Sequence, residues 1–271
     1  MAVEVPAAVL SALERQRDDL ARLAPALQAD LLAAVESVRA DLAETMAGLR
    51  PDSFTAQQTR VLTALIEAAA IDLEAALGGS LVDIGTVAAR IGRDGLIAQI
   101  DGWADAFAGS VRRIARVDEA AGYLTTSLLD YYEVSRATYG ADAIRGMRQV
   151  MADGALKGET IAQTARRIEA AAEIAPYRAE RIVRTEMSNA MHEAQRDAWE
   201  AEFGSERDDW RKMTTGPMDQ RTGEDSRKIE GQVRRVDQPF EGDNGEFMRN
   251  PDRPNDRGTT LYLPASAVQS P

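Results

Sequence analysis

From residue 7 to about residue 203 the apolar side chains fall at helical spacing, and this pattern confines the chain to a mainly helical architecture. Leu13, Leu20, Leu23, Leu27, Leu31, Val35, Val38, Leu42, Met46 and Leu49 step by three, four or seven. Such a stripe suits a coiled coil or one edge of a bundle, and its interruptions favour the bundle. Pro25 is expected to start a new helix or kink one, and Pro51 to close the element. A second helix, capped at Thr55, should run through Val61, Leu65, Leu73 and Leu77 and end at Gly78-Gly79. Residues 80–140 read as shorter helices punctuated by Gly92, Gly95, Gly102, Gly109 and Gly122. Aromatics are only 5% of the chain, which also disfavours an all-β fold.

Charge and cysteine content narrow the function classes. The 271 residues carry a net charge of −12, which argues against general nucleic-acid binding and leaves only local DNA contact plausible. Residues 1–203 hold 21 basic and 31 acidic side chains, residues 204–271 hold 11 and 13, so the excess lies in the helical part. With no cysteine there is no disulfide and no thiolate metal ligand. The opening MAVEVPAAVL lacks the features of a signal peptide and no apolar run approaches 18 residues. The expectation is a soluble chain that does not cross a membrane.

The stretch RIVRTEMSNAMHEAQRDAWE, residues 181–200, holds the densest set of candidate site residues. Gly154 is expected to stop one helix, Gly158 to supply a turn, Thr160 to cap the next, and Pro176 to open a long helix reaching about residue 203. On that helix Val183, Met187, Ala190, Met191, Ala194 and Ala198 form an apolar stripe. Glu186, Asn189, Glu193 and Arg196 form a polar one. Glu186 and Glu193, two turns apart, stand roughly 10 Å from each other, too far to share a proton or a metal ion. His192, the only histidine, could serve in acid-base chemistry with Glu186 or Glu193, joined by Asp219. The alternative is a partly exposed helical residue beside an ordinary Glu193–Arg196 pair. The absence of a nucleophile elbow, phosphate loop or metal-ligand spacing favours the second reading.

At Gly204 the texture changes. Gly, Pro, Asn and Asp become frequent and apolar runs shorten to WRKM, GQVRRV, EFM and TLYLP. These predict a small α+β module of short strands, with a helical turn around Glu224–Glu230. Alternation along its strand puts Arg234 and Arg235 on opposite faces, which favours solvated arginines over a DNA patch. The fold class is thus mainly α: an N-terminal helical bundle and long helices, then a small α+β C-terminal module.

The ordered motifs resemble the phage Mu F-like head morphogenesis family, minor head proteins of tailed phages. The helical part matches through Ala179, Ile182, Arg184, Thr185, Glu186, Ala190 and Ala194. Downstream come Trp210, then Asp219, Arg221 and Thr222, then Ile229, Gly231 and Gln232, then Asn255 and Arg257. The likeness spans residues 144–263. Where some members carry Cys or His suited to zinc, this chain has Gly223, Ser226, Asp256 and Gly258, so no metal or cofactor is expected and the corner must be tied by hydrogen bonds or packing.

The resemblance implies a non-enzymatic, low-copy minor capsid protein acting near the portal in head assembly, with possible involvement in DNA packaging or ejection. It would reside in the virion, and in the bacterial host cytoplasm during assembly. Partners would be the portal protein, scaffold or major capsid protein, with local contact to packaged DNA and no membrane. Residues 1–140 would be a helical docking region using its Leu- and Ala-rich stripes. Residues 141–203 would form the helix-turn-helix and long helix, 204–263 the α+β module, and 264–271 a tail. Arg184 and Glu186 would tie the long helix to the module, with Asp219 and Arg221 as their counterparts or as a solvated loop. The competing class is an enzymatic or toxin-like effector carried on the same domain.

Overall fold

The computed structural model describes residues 2–47, 56–107, 111–114, 126–157, 159–172, 176–220, 222–242, 245–248 and 257–269. Pro51, Thr55, Gly109, Gly122, Gly158, Arg221, Asn255 and Asp256 lie outside them. Among the described residues, five helices follow a two-residue strand: α1 (Ala7–Ala47), α2 (Ala56–Ala106), α3 (Thr126–Lys157), α4 (Ile161–Ala171) and α5 (Pro176–Phe203). A β-rich module follows, so the mainly helical class with a small C-terminal α+β part is the observed one.

These elements form two compact units, each built from separated stretches. One comprises Met1–Ala24, Gly85–Thr125 and Arg184–Pro271, the other Pro25–Ile84 and Thr126–Val183. The units cut across a partition at residues 140, 203 and 263 because α1, α2 and α5 each pass from one unit into the other.

Several helix boundaries differ from the sequence expectation. Helix α1 continues through Pro25. Both Pro25 and Ala21, whose carbonyl the missing N–H would have met, are exposed, so water can satisfy that carbonyl. Helix α2 runs unbroken through Gly78-Gly79, Gly92, Gly95 and Gly102. Three of these glycines are points of close approach. A Cβ on Gly92 would lie 2.2 Å from the Met191 carbonyl oxygen of α5, one on Gly95 2.7 Å from the Gln16 side chain, and one on Gly102 2.8 Å from Val9. Packing of this kind offsets the ~1 kcal/mol that a glycine costs a helix. Gly154 does the same in α3, which extends to Lys157: its Cβ would meet the Thr164 hydroxyl of α4.

Other signals act where they were read. Thr160 and Gln163 form a reciprocal capping box at the start of α4. Pro176 opens α5, which ends at Phe203.

In the second unit the core is Leu42, Met46, Leu62, Ile66, Met147 and Ile168. Leu31 and Val35 are buried as well, as is Leu13 in the first unit. Much of the leucine stripe of α1 is therefore interior.

In the first unit an antiparallel sheet is ordered β3 (Val233–Arg235), β2 (Trp210–Thr215), β6 (Thr259–Pro264). The short helix α6 (Glu224–Ile229) connects β2 to β3, and β4 (Phe240–Gly242) with β5 (Gly245–Phe247) forms a separate hairpin. Strand β1 (Ala2–Val3) pairs with β7 (Val268–Gln269), Ala2 opposite Gln269, so the stretch 264–271 contains a paired strand and is no mere tail. The core gathers the scarce aromatics. Trp199 stacks on Tyr262 at 5.2 Å, Phe203 lies 4.5 Å from Trp210, and the Trp103 indole donates to the Tyr262 carbonyl at 3.0 Å.

Candidate functional site

Of the described resemblance-bearing residues of the C-terminal module, Asp219, Thr222, Ile229, Gly231 and Gln232 lie between β2 and β3, and Arg257 bonds to Asp219 there. Gly231 has φ 71°, a left-handed conformation that glycine adopts at little cost. Its N–H donates to the Thr214 carbonyl at 3.0 Å, and the Thr214 N–H donates to Gln232 at 3.2 Å. The Thr214 hydroxyl donates to the Ile229 carbonyl. Gln232 then imitates a strand. Its side-chain amide donates to the Glu241 carbonyl at 2.8 Å and its side-chain oxygen accepts the Glu241 N–H at 3.1 Å. One glycine and one glutamine thereby fix β2, the end of α6 and the β4–β5 hairpin together. Trp210, 3% exposed, joins β2 to the end of α5 through Phe203 and Trp199.

Asp219 and Arg257 come together across 38 residues as a bidentate pair, at 2.7 and 2.6 Å. The loop carrying Asp219 is closed by its own bonds. Its backbone N–H donates to the Thr222 hydroxyl at 3.1 Å, that hydroxyl donates to the Pro217 carbonyl at 2.5 Å, and Arg227 reaches the Asp219 and Thr222 carbonyls at 2.6 and 3.2 Å. Gly223 precedes α6 as its N-cap. The loop is thus held by an ion pair and hydrogen bonds. A carboxylate gripped by both guanidinium nitrogens is suited to anchoring. Glu230, at the end of α6, is pushed up from the usual carboxylate range by burial. Hydrogen bonds from the Gly216 N–H and Thr215 and the charge of Arg17 oppose that shift.

On α5 the run Arg184-Thr185-Glu186 splits by burial: Arg184 is exposed, Thr185 half-buried and Glu186 1% exposed. His192 is 2% exposed, which corrects the reading of a partly exposed side chain. Its Nδ1 lies 2.6 Å from the Ser188 carbonyl oxygen. Gly92 lets α2 approach α5 at Met191, the residue before His192. Beside it sits a buried amide cluster, in which Gln16 Oε1 accepts from Gln99 at 3.4 Å and Gln195 at 3.3 Å. The Glu193–Arg196 pair is present as expected. Among the described residues no three His, Asp or Glu side chains assemble into a metal site.

These motifs, in this order, lie on a helical hairpin, a long helix and a tied β module. Residues 145–260 match the family described as Phage Mu protein F like protein. That segment belongs to the phage Mu F-like family. No curated protein and no solved structure matches the chain.

Within the Mu F-like segment, Lys212 escaped the sequence reading. It is 1% exposed in the middle of β2. Its Nζ donates to the Met248 carbonyl at 2.7 Å and lies 4.9 Å over the Phe240 ring. Burial lowers its pKa to about 8 against the opposing charge of Asp237. The signal was available: WRKMTT alternates, and Lys212 shares its face with Trp210 and Thr214.

Proposed function

We propose that this protein is a minor head protein of a tailed phage or prophage, acting near the portal during head morphogenesis without catalysing a reaction. The observation that carries this reading is the Mu F-like segment at residues 145–260. The bonds its motif residues make support a structural role: Asp219 pairs with Arg257, the Gly231 N–H donates to Thr214 of β2, and the Gln232 side chain bonds Glu241 of β4. The helical N-terminal region, residues 1–140, serves as the docking element for portal, scaffold or major capsid protein. No described helix is long and apolar enough to cross a membrane, consistent with partners inside the head and with only local contact to packaged DNA. The protein then resides in the virion and, during assembly, in the host cytoplasm.

The test is complementation of a phage deleted for the gene. Wild-type protein should co-sediment with procapsids, and His192→Ala should restore plaques if the variant folds, as judged by its circular dichroism and melting point. An enzyme dependent on that imidazole should lose a hundredfold or more in rate. A folded His192→Ala protein that incorporates into heads yet gives no plaques would overturn the non-catalytic reading. Absence of the wild-type protein from heads at every stage would overturn the head assignment.

A further inference from the structure

Helices α1, α2 and α5 meet in the first unit at three glutamines. Gln99 and Gln195 are fully buried and Gln16 is 3% exposed, a heavy load of side-chain amide for a helical core. Gly95 makes room for it: a Cβ there would lie 2.7 Å from the Gln16 side chain. Gln16 Oε1 accepts from Gln99 Nε2 at 3.4 Å and from Gln195 Nε2 at 3.3 Å, and Gln16 Nε2 donates to the Ile91 carbonyl at 3.5 Å. All three bonds are long. One oxygen thus gathers the other two amides. Their own oxygens, Gln99 Oε1 and Gln195 Oε1, are buried with no hydrogen-bond partner among the described residues. The same holds for the indole nitrogen of Trp199, one turn after Gln195 on the same face of α5.

Rearranging the amides does not cure this. Turning Gln99 or Gln195 end for end sets its oxygen against Gln16 Oε1. Turning all three lets Gln16 donate to both, but leaves two amide nitrogens unpaired and faces the Gln16 oxygen with the Ile91 carbonyl. What stays unpaired is two acceptors and one donor. A cation would suit the oxygens and repel the indole N–H, and an anion would do the reverse. Water offers two donors and two acceptors, and buried polar groups are paired with protein or ordered water in nearly every case. An internal water typically makes about three such bonds.

We propose that this seam binds internal water, which donates to Gln99 Oε1 and Gln195 Oε1 and accepts from the Trp199 indole. Helix α1 then rests in the first unit through a hydrated polar contact at Gln16 and an apolar one at Val9 and Leu13. The proposal does not depend on the head assignment.

Nuclear magnetic resonance of the full chain reads the site directly, because three tryptophans give three indole N–H signals. The Trp199 indole proton should show a cross-relaxation peak to water with the sign of a bound molecule. The Trp103 indole, bonded to the Tyr262 carbonyl at 3.0 Å, should show none and is the internal control. Gln195→Met keeps the side-chain length and removes one partner, so the Trp199 peak should weaken severalfold while the Trp103 signal stays unchanged. A high-resolution crystal structure should place a water oxygen about 2.7–3.2 Å from Gln99 Oε1 and Gln195 Oε1. The proposal is overturned if Trp199 shows no water peak in the parent, or if Gln195→Met leaves that peak at full strength. Crystal density for a cation ringed by the amide oxygens would also overturn it. Should Gln195→Met fail to fold, the parent's peak and the crystal density still decide.

Discussion

Lys212→Met removes the buried ammonium and keeps the shape of the side chain. In the folded protein the lysine pKa is about 8 against an ordinary 10.5, so the site disfavours the charged form by roughly 3 kcal/mol. Between those two values the unfolded chain holds the proton and the folded one does not. Stability from this group therefore rises as pH climbs from about 8 to 10.5, and is flat below 8. The Met variant lacks that gain. Relative to it, the parent should gain up to about 3 kcal/mol across the window, and roughly half of that if water enters beside the half-exposed Met248. At pH 7 the variant gives up one hydrogen bond, about 1 kcal/mol, and is relieved of a buried charge, so it should be at least as stable as the parent. All three tryptophans, Trp103, Trp199 and Trp210, lie in the core of the unit that contains Lys212. Urea denaturation followed by tryptophan fluorescence from pH 7 to 10.5 thus reads the right part of the molecule. Parallel stability profiles for parent and variant would refute the argument, and would mean that the ammonium is as well solvated in the folded state as in the unfolded one.

Gly92→Ala should cost more than 2 kcal/mol, because the new methyl has backbone rather than a pliant side chain to displace. Gly146→Ala, whose nearest neighbour would be 4.0 Å away, should instead stabilise by about 0.5–1 kcal/mol; melting curves of the two variants decide both. Asp219→Asn should lower stability by only about 1 kcal/mol, since both partners are partly exposed, yet speed proteolysis between residues 216 and 223. Equal cleavage rates would show that the pair does not hold the loop. Glu186→Ala should cost about 1–3 kcal/mol by stranding whatever its buried carboxylate serves, and a melting point equal to the parent's would count against any tie through that residue.

What the sequence disclosed depended on whether a signal was local. Thr160, Pro176 and the end of α5 at Phe203 were legible because a cap and a first-turn proline act through their own backbone. The short strands were legible from composition and spacing. Gly92, Gly95 and Gly102 misled because a glycine that breaks a helix and one that admits a neighbour look alike in one dimension. His192 misled for the same reason, since its burial is a property of the packed chain and not of the helix's own spacing. Asp219 and Arg257 were each singled out, but their pairing across 38 residues had no trace in either motif.

The division of the first unit into three separated stretches bears on how the chain is made. Residues 25–84 and 126–183 can complete their own core once residue 183 has left the ribosome. The other unit cannot. Its opening strand waits for Val268 and Gln269, and Val9, Leu13 and Trp103 wait for Trp210, Leu261 and Tyr262. During synthesis the stretch before residue 25 is made ahead of the other unit yet completes its core after it, and its apolar surface stays uncovered until residues 259–269 have been made. At about 5–20 residues per second that interval is on the order of tens of seconds. Expressing residues 145–260 alone would omit the same early-made half of the core, so the segment that defines the family is not a unit that can be expected to fold without the helices that precede it.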